Sequence, residues 1–225
     1  MNKTILFTVA IASSVVIISC GGGAAKSGAD SPAVENKAPV ASAATVKDDR
    51  LSGFMLGGIY FIKGYGGQQA LNGMIQRTDK AAIISKYKEL MEFPYKPSDG
   101  GPDAKNLLKE WWSVNNKEDL QKAQEQLKTG SPENPHKAWD YARMVQNACM
   151  GYAAGYLTQE ETNQQIAAVL PLARKAFNNW DAYFTDFVEG RKAWGGDPSH
   201  NKEFEDLAKE ILQGDKSIYK ILPLN

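Results

Sequence analysis

One stretch of this chain places a permanent positive charge in a row of aromatic rings. Trp180, Phe184, Phe187, Arg191 and Trp194 step by four, three, four and three, the spacing that puts side chains in one helical stripe. A guanidinium is costly to bury alone, so Arg191 needs a carboxylate, a carbonyl or an aromatic face. Gly190 beside it removes side-chain bulk and admits another helix. A partner is available earlier in the chain, where Asp140, Arg143 and Asn147 step by three and four and Asp140 can pair with Arg143 along the helix. We expect Asp140 to lie close to Arg191. One reading of the cluster is a structural ion pair that fixes helix register. The other is a recognition pocket lined by Arg143, Arg191, Trp180 and Trp194, suited to an anionic or planar ligand.

Other constellations offer less chemistry. His136 and His200 are the only histidines, and neither sits in an HExxH, CxxC or HxH pattern, so we expect no metal site and no cofactor. No G-x-S-x-G, Walker loop or dinucleotide fingerprint occurs. Gly64-Tyr65-Gly66-Gly67 has neither the preceding strand nor the following GKS or GKT of a phosphate loop, and reads as a turn. Glu160 and Glu161 are explained by helix capping, and Trp111 and Trp112 read as core or, alternatively, as a sugar- or partner-binding platform. The expectation leans away from an enzyme.

The N-terminus carries different chemistry. Lys3 precedes Ile5 to Ile18, an uncharged run of signal-peptide length and shorter than the roughly 20 residues of a membrane span. It ends Ile17-Ile18-Ser19-Cys20-Gly21, which resembles the lipobox of bacterial lipoproteins. That resemblance implies cleavage after residue 19, a diacylglyceryl group and further acyl chains such as palmitate on Cys20, and membrane attachment through the lipid. Gly21 rather than Asp follows the cysteine, which by analogy with enteric sorting favours the outer membrane of a Gram-negative envelope.

Composition divides the remainder. Residues 20–47 hold Gly, Ala, Ser, Pro and Lys without an aromatic residue, a tether that cannot bury enough apolar surface to order itself. About 27 such residues reach about 30 Å. Residues 48–225 are long enough for one domain with a core. The whole chain has 26 basic and 26 acidic residues, which argues against broad electrostatic binding of nucleic acid. With Cys20 committed to lipid, Cys149 stands alone and no intrachain disulfide is possible.

The domain reads as all-α. Leu51, Met55, Ile59 and Ile62 recur at helical spacing, with Gly53, Gly57 and Gly58 permitting close packing. Thr78 or Asp79 caps a helix carrying Ile83, Tyr87 and Leu90. Pro102-Asp103 opens a short helix to Trp112, and Asn116 caps another that ends before Gly130. Ala138, Ala142, Val145, Cys149, Tyr152 and Tyr156 form one stripe on one helix, which makes Cys149 a core residue. Thr158 to Glu161 is a capping box for a helix that Pro171 must bend. Asn179 or the turn before it starts the aromatic helix, and Pro198-Ser199 the last long one.

Several of these segments carry a resemblance. Trp139-Asp140-Tyr141-Ala142-Arg143, the run Gly151 to Glu161, Asn179-Trp180-Asp181-Ala182-Tyr183-Phe184 and Gly190-Arg191-Lys192-Ala193-Trp194 occur in this order. Together they resemble the bacterial domain-of-unknown-function family 1266, whose pattern includes an Asp-x-x-Arg helix, a Gly-Tyr turn into a Glu-rich helix and a terminal Gly-Arg-x-x-Trp. The earlier Trp112-Ser113-Val114 resembles the family's Trp-Gly-Ile segment, so the resemblance runs from about Leu107 to Trp194. Asn179 and Ser113 stand where the family usually has Ser and Gly. The resemblance implies an all-α domain and draws attention to Asp140, Arg143, Arg191 and Trp194, but implies no activity. The expectation is a non-enzymatic binding module in the envelope, with another envelope protein or an incoming toxin as partner. The alternative is an enzyme of unrecognised type acting on an envelope component through an Asp/Arg/Trp-lined pocket. Nothing in the sequence sets the oligomeric state.

Overall fold

The computed structural model describes residues 46–225. The signal-peptide, lipidation and nearly all of the tether readings, Cys20 included, lie outside the described residues. Among those described, eleven helices and no strand occur, apart from one isolated bridge between Ser131 and Asn134.

The helix α7 (Lys137–Ala153) is the axis of the fold. Its stripe of Ala138, Ala142, Val145 and Cys149 is wholly buried, and its small residues let other helices close in. The helices α5 (Pro97–Trp112), α6 (Lys117–Thr129), α8 (Gln159–Ala176) and α9 (Trp180–Ala193) all pack against it. The stripe stops at Cys149 on the helix proper: Tyr152 is half-buried, and Tyr156 falls beyond the helix end, in the turn that Gly155 makes at φ 76°.

The caps behave as side-chain chemistry dictates. Asp79 accepts from Ala82 N, Asn116 from Asp119 N and Asn179 from Ala182 N, each at 2.8–2.9 Å. Thr158 and Glu161 form the reciprocal capping box, and Glu161 also pairs with Lys117 at the start of α6.

The glycine-rich start splits into α1 (Asp49–Met55) and α2 (Gly58–Gly64). Three close approaches explain its glycines. A Cβ on Gly53 would lie 2.9 Å from Ile166, one on Gly57 would lie 2.8 Å from Val145, and one on Gly58 would collide with the Tyr219 hydroxyl. The break between α1 and α2 leaves carbonyls without helical partners. Buried tyrosines satisfy them: Tyr219 donates to Met55 O and Tyr183 to Leu56 O.

Several elements differ from expectation. The helix α5 begins at Pro97, where proline's fixed φ suits a first turn, and absorbs Pro102 within it. The helices α3 (Gln68–Met74) and α11 (Ile218–Ile221) are additional. Trp111 is not core: it is 75% exposed, while Trp112 is half-buried. The remaining helices are α4 (Lys80–Met91) and α10 (Pro198–Ile211). Beyond α11 the tail straps onto the domain, with Leu222 O accepting from Trp180 Nε1 and Leu224 O from Arg174 Nε. A second, smaller apolar cluster, including Leu108, Val114, Leu120 and Leu157, fills the space around the end of α7.

Candidate functional site

The seam between α7 and α9 depends on Gly190. A Cβ there would sit 2.7 Å from Trp139 Cβ and 2.9 Å from His136 Cβ. The absence of a side chain at 190 therefore brings the backbone of α9 onto the first turn of α7, as the sequence suggested. Two polar ties hold the seam. Asn134 donates to Gly190 O at 3.0 Å. Asp186 accepts from Ala138 N at 2.8 Å and meets His136 Nδ1 at 2.9 Å, so a carboxylate from α9 serves a free N–H at the start of α7.

Asp140 is paired with Arg143, one turn along α7. That is the pairing along the helix expected from the spacing, and no ion pair joins Asp140 to Arg191. The local partner at i+3 takes its carboxylate first, because the two side chains share a helix face at no cost in chain closure. Asp140 is only 5% exposed. Burial pushes its carboxyl up despite the pull of Arg143, and burial pulls Arg143 down against the attraction of Asp140.

Arg191 takes an aromatic partner instead. Its guanidinium lies 4.0 Å from the centroid of Phe204 on α10. Arg143 does the same on another pair of rings, 3.4 Å from the centroid of Trp139 and 5.4 Å from that of Trp112. Cation–π contacts of this kind contribute about 0.5–2 kcal/mol each, more as they are desolvated. Trp194 also meets Trp139, with centroids 5.7 Å apart and planes tilted by 45°. Successive contacts thus link Trp112, Arg143, Trp139 and Trp194. Trp194, expected on the buried stripe, is 64% exposed.

Trp180 does not join this group. Eleven residues from Arg191, it lies about 16 Å along the helix, buried against Tyr183, Phe184 and Tyr219. Its indole N–H is satisfied by Leu222 O at 2.8 Å, so Trp180 has a structural role.

Tyr60 on α2 was missed from sequence and is central. Its ring packs edge-on against Phe187 and Phe204. Burial raises its hydroxyl pKa, opposed by the charges of Arg191 and Arg143 and by the neighbouring Trp139 indole and Arg191 guanidinium. Tyr60 therefore lies near both arginines. Trp139 Nε1, Arg143 Nε and Arg191 Nε are all buried and make no close hydrogen bond, and the Tyr60 hydroxyl is the acceptor that stands near Trp139 and Arg191. Asp140 Oδ2 and both amide atoms of Asn147 are likewise unpartnered, and Asn147 is fully buried. Most buried polar groups in folded proteins have partners, so this concentration along one face of α7 and onto α9 is unusual.

The group is not a deep cleft. Two surface depressions, of about 350 and 370 Å³, are lined by other residues, one around Ile75 and Arg77 and the other around Gln124 and Gln165. Cys149 is fully buried, and its thiol pKa is pushed up by that burial. Among the described residues no group of three or more His, Cys, Asp or Glu side chains could hold a metal ion, and no helix is long and apolar enough to cross a membrane.

No curated protein and no solved structure matches this chain. A family profile does match, starting beyond Trp112-Ser113-Val114 and running past Trp194 to include α10 and α11, which the resemblance read from sequence had left out. It therefore takes in Asp140, Arg143, Arg191, Trp194 and Phe204, whereas Tyr60 and Trp112 lie upstream of it. Residues 125–224 form a domain that resembles the family described as "Protein of unknown function (DUF1266)".

Proposed function

We propose that this chain is a lipid-anchored envelope protein whose helical domain is a binding module rather than a catalyst. The observation that carries this reading is the set of buried N–H groups of Trp139, Arg143 and Arg191 that make no close hydrogen bond, with only the Tyr60 hydroxyl near Trp139 and Arg191. Donors left without acceptors are costly in a folded protein, and a partner that supplies the acceptors recovers that cost on binding. The exposed ring of Trp194 beside Trp139 adds an aromatic contact of the type that anchors interfaces.

The chemistry of the group suits recognition better than turnover. General acid–base work needs a side chain that changes protonation near the working pH. Arginine does not do so, and Asp140 is held by Arg143. The address comes from the sequence alone: an uncharged run of signal-peptide length ending at Ser19-Cys20. With the lipid on Cys20 and a tether of about 30 Å, the domain works beside a membrane surface, where its partner is another envelope protein.

The test compares the lipidated wild type with Arg191→Lys in capture from their own envelope, with membrane fractionation of Cys20→Ala alongside. A specific partner that Arg191→Lys loses is expected, and Cys20→Ala is expected to lose the cleavage after residue 19 and the lipid. A partner captured equally by both forms removes the cluster from the account. A Cys20→Ala chain that still partitions with membranes and is processed as the wild type refutes the anchor.

A further inference from the structure

We propose that the groove where α6 and α8 lie side by side on α7 binds an extended peptide strand, with Gln124 accepting the N–H and Gln165 donating to the C=O of one peptide residue. This goes beyond the reading above, since Trp139, Arg143, Arg191 and Trp194 do not line the groove.

The helix α6 carries Gln121, Gln124 and Lys128 on one face, and α8 carries Gln165, Ala168 and Leu172 on another, each by steps of three and four. Two side-chain ties join the helices. Lys117 pairs with Glu161 near their first turns, and Gln124 meets Gln165 further along, so the two run in the same direction. Between them is a groove of about 370 Å³, with Met144 of α7 below and Ala168 and Leu172 on the α8 side. That volume falls within the range of ligand pockets, about 300–1,000 Å³. The only charged residues lining it are Glu125 and Lys128, which are of opposite sign and 3.7 Å apart. Their charges offset one another, so the groove suits a neutral polar ligand rather than an ion.

The amide of Gln124 selects that ligand. Its Nε2 donates to Met144 O at 2.9 Å and to Gln165 Oε1 at 3.1 Å. A carbonyl oxygen can only accept, so Met144 O fixes which end of the amide is which. The other end, Gln124 Oε1, is buried and has no donor, on a residue only 8% exposed. Gln165 must turn its own oxygen toward Gln124, which leaves its Nε2 to donate elsewhere. The pair thus offers one acceptor and one donor. In an extended strand the N–H and C=O of a single residue point to the same side and bond as a pair. A docked helix spends those groups on itself and would leave Oε1 unsatisfied. Gln121 is exposed and Gln165 half-buried. Both are long side chains, so a change of rotamer admits the strand without movement of the helices. Alternate side chains of the strand then meet Met144 and Leu172.

The probes are four blocked peptides, acetyl-Ala-Xaa-Ala-methylamide with Ala, Val, Leu or Met in the centre, titrated into the full-length 15N-labelled chain. The Gln165 side-chain amide signal should move downfield and saturate with at least one of them. For the tightest binder, an analogue with an ester in place of the central amide loses the N–H alone. It should bind at least about tenfold more weakly, because Gln124 Oε1 is again left without a donor. Gln165→Glu keeps an acceptor for Gln124 but loses the donor, and should weaken binding to a similar degree at an unchanged thermal transition. The ester comparison uses the wild-type chain alone, so it decides the matter even where the variant unfolds. A panel in which no peptide moves the Gln165 signal overturns the proposal, as does an ester that binds as well as the amide. Binding that a folded Gln165→Glu chain retains in full also overturns it.

Discussion

Gly190→Ala tests whether the seam that builds the site is as close as the structure makes it. Two effects of opposite sign compete. In an exposed helix, replacing Gly by Ala stabilises by about 1 kcal/mol through backbone entropy. Here the new methyl would sit 2.7 Å from Trp139 Cβ, where ordinary contact begins at 3.4 Å, so the seam must open by about 0.7 Å. The obstructing atom is a Cβ, which cannot swing away as the end of a long side chain would. Overpacking of this kind costs about 1–3 kcal/mol. Opening the seam also strains the Asn134 to Gly190 bond and the Asp186 contacts with His136 and Ala138. We expect a net loss of about 2 kcal/mol, or a fall in Tm of about 4–8 °C for a domain of this size. Thermal unfolding followed by circular dichroism at neutral pH reads it. A Tm equal to or above that of the wild type would mean that propensity wins and that α7 and α9 are not in contact at this point.

Thr158→Ala removes the hydroxyl half of the capping box and should cost about 1 kcal/mol in chemical denaturation. The other half is sensitive to pH. Hydrogen bonds from Lys117 and from the Thr158 backbone lower the Glu161 pKa from its ordinary 4.5 to about 2. Its stabilising contribution is therefore complete above pH 4.5 and lost as the pH falls toward about 2. Glu161→Gln should flatten that part of the stability profile, and an unchanged acid limb would refute the assignment. Cys149, buried with its thiol pKa pushed up, should react with thiol reagents only as fast as the protein unfolds; rapid labelling of the folded chain contradicts its place in the core.

Elements whose signals are local were legible in the sequence. The caps at Asp79, Asn116, Thr158 and Asn179 depend on residues three positions apart, and each forms as the spacing implied. The stripe from Ala138 to Cys149 and the approach at Gly190 were legible for the same reason. What failed depends on contacts distant in the chain. The helix α3 has few apolar residues, and only Leu71 among them is buried, so it carries no period to detect. Trp111 and Trp112 are adjacent, and their α-helical directions differ by about 100°, so one turns toward Arg143 and the other toward solvent. Spacing could place Arg191 on an aromatic face but could not choose its partner: Phe204 comes from α10 and Tyr60 from α2. Tyr60 had no signal of its own, since one tyrosine in an apolar helix reads as core.

The proposed function requires the patch around Trp194 and Arg191 to meet a partner at the membrane. A photo-crosslinking side chain in place of Trp194, in the native envelope, tests it most directly, with the same side chain in place of the exposed Gln164 on α8 for comparison. One discrete crosslinked species is expected from position 194, absent from position 164 and lost when Arg191→Lys is added. Equal crosslinking from both positions, or a species indifferent to Arg191, would contradict it.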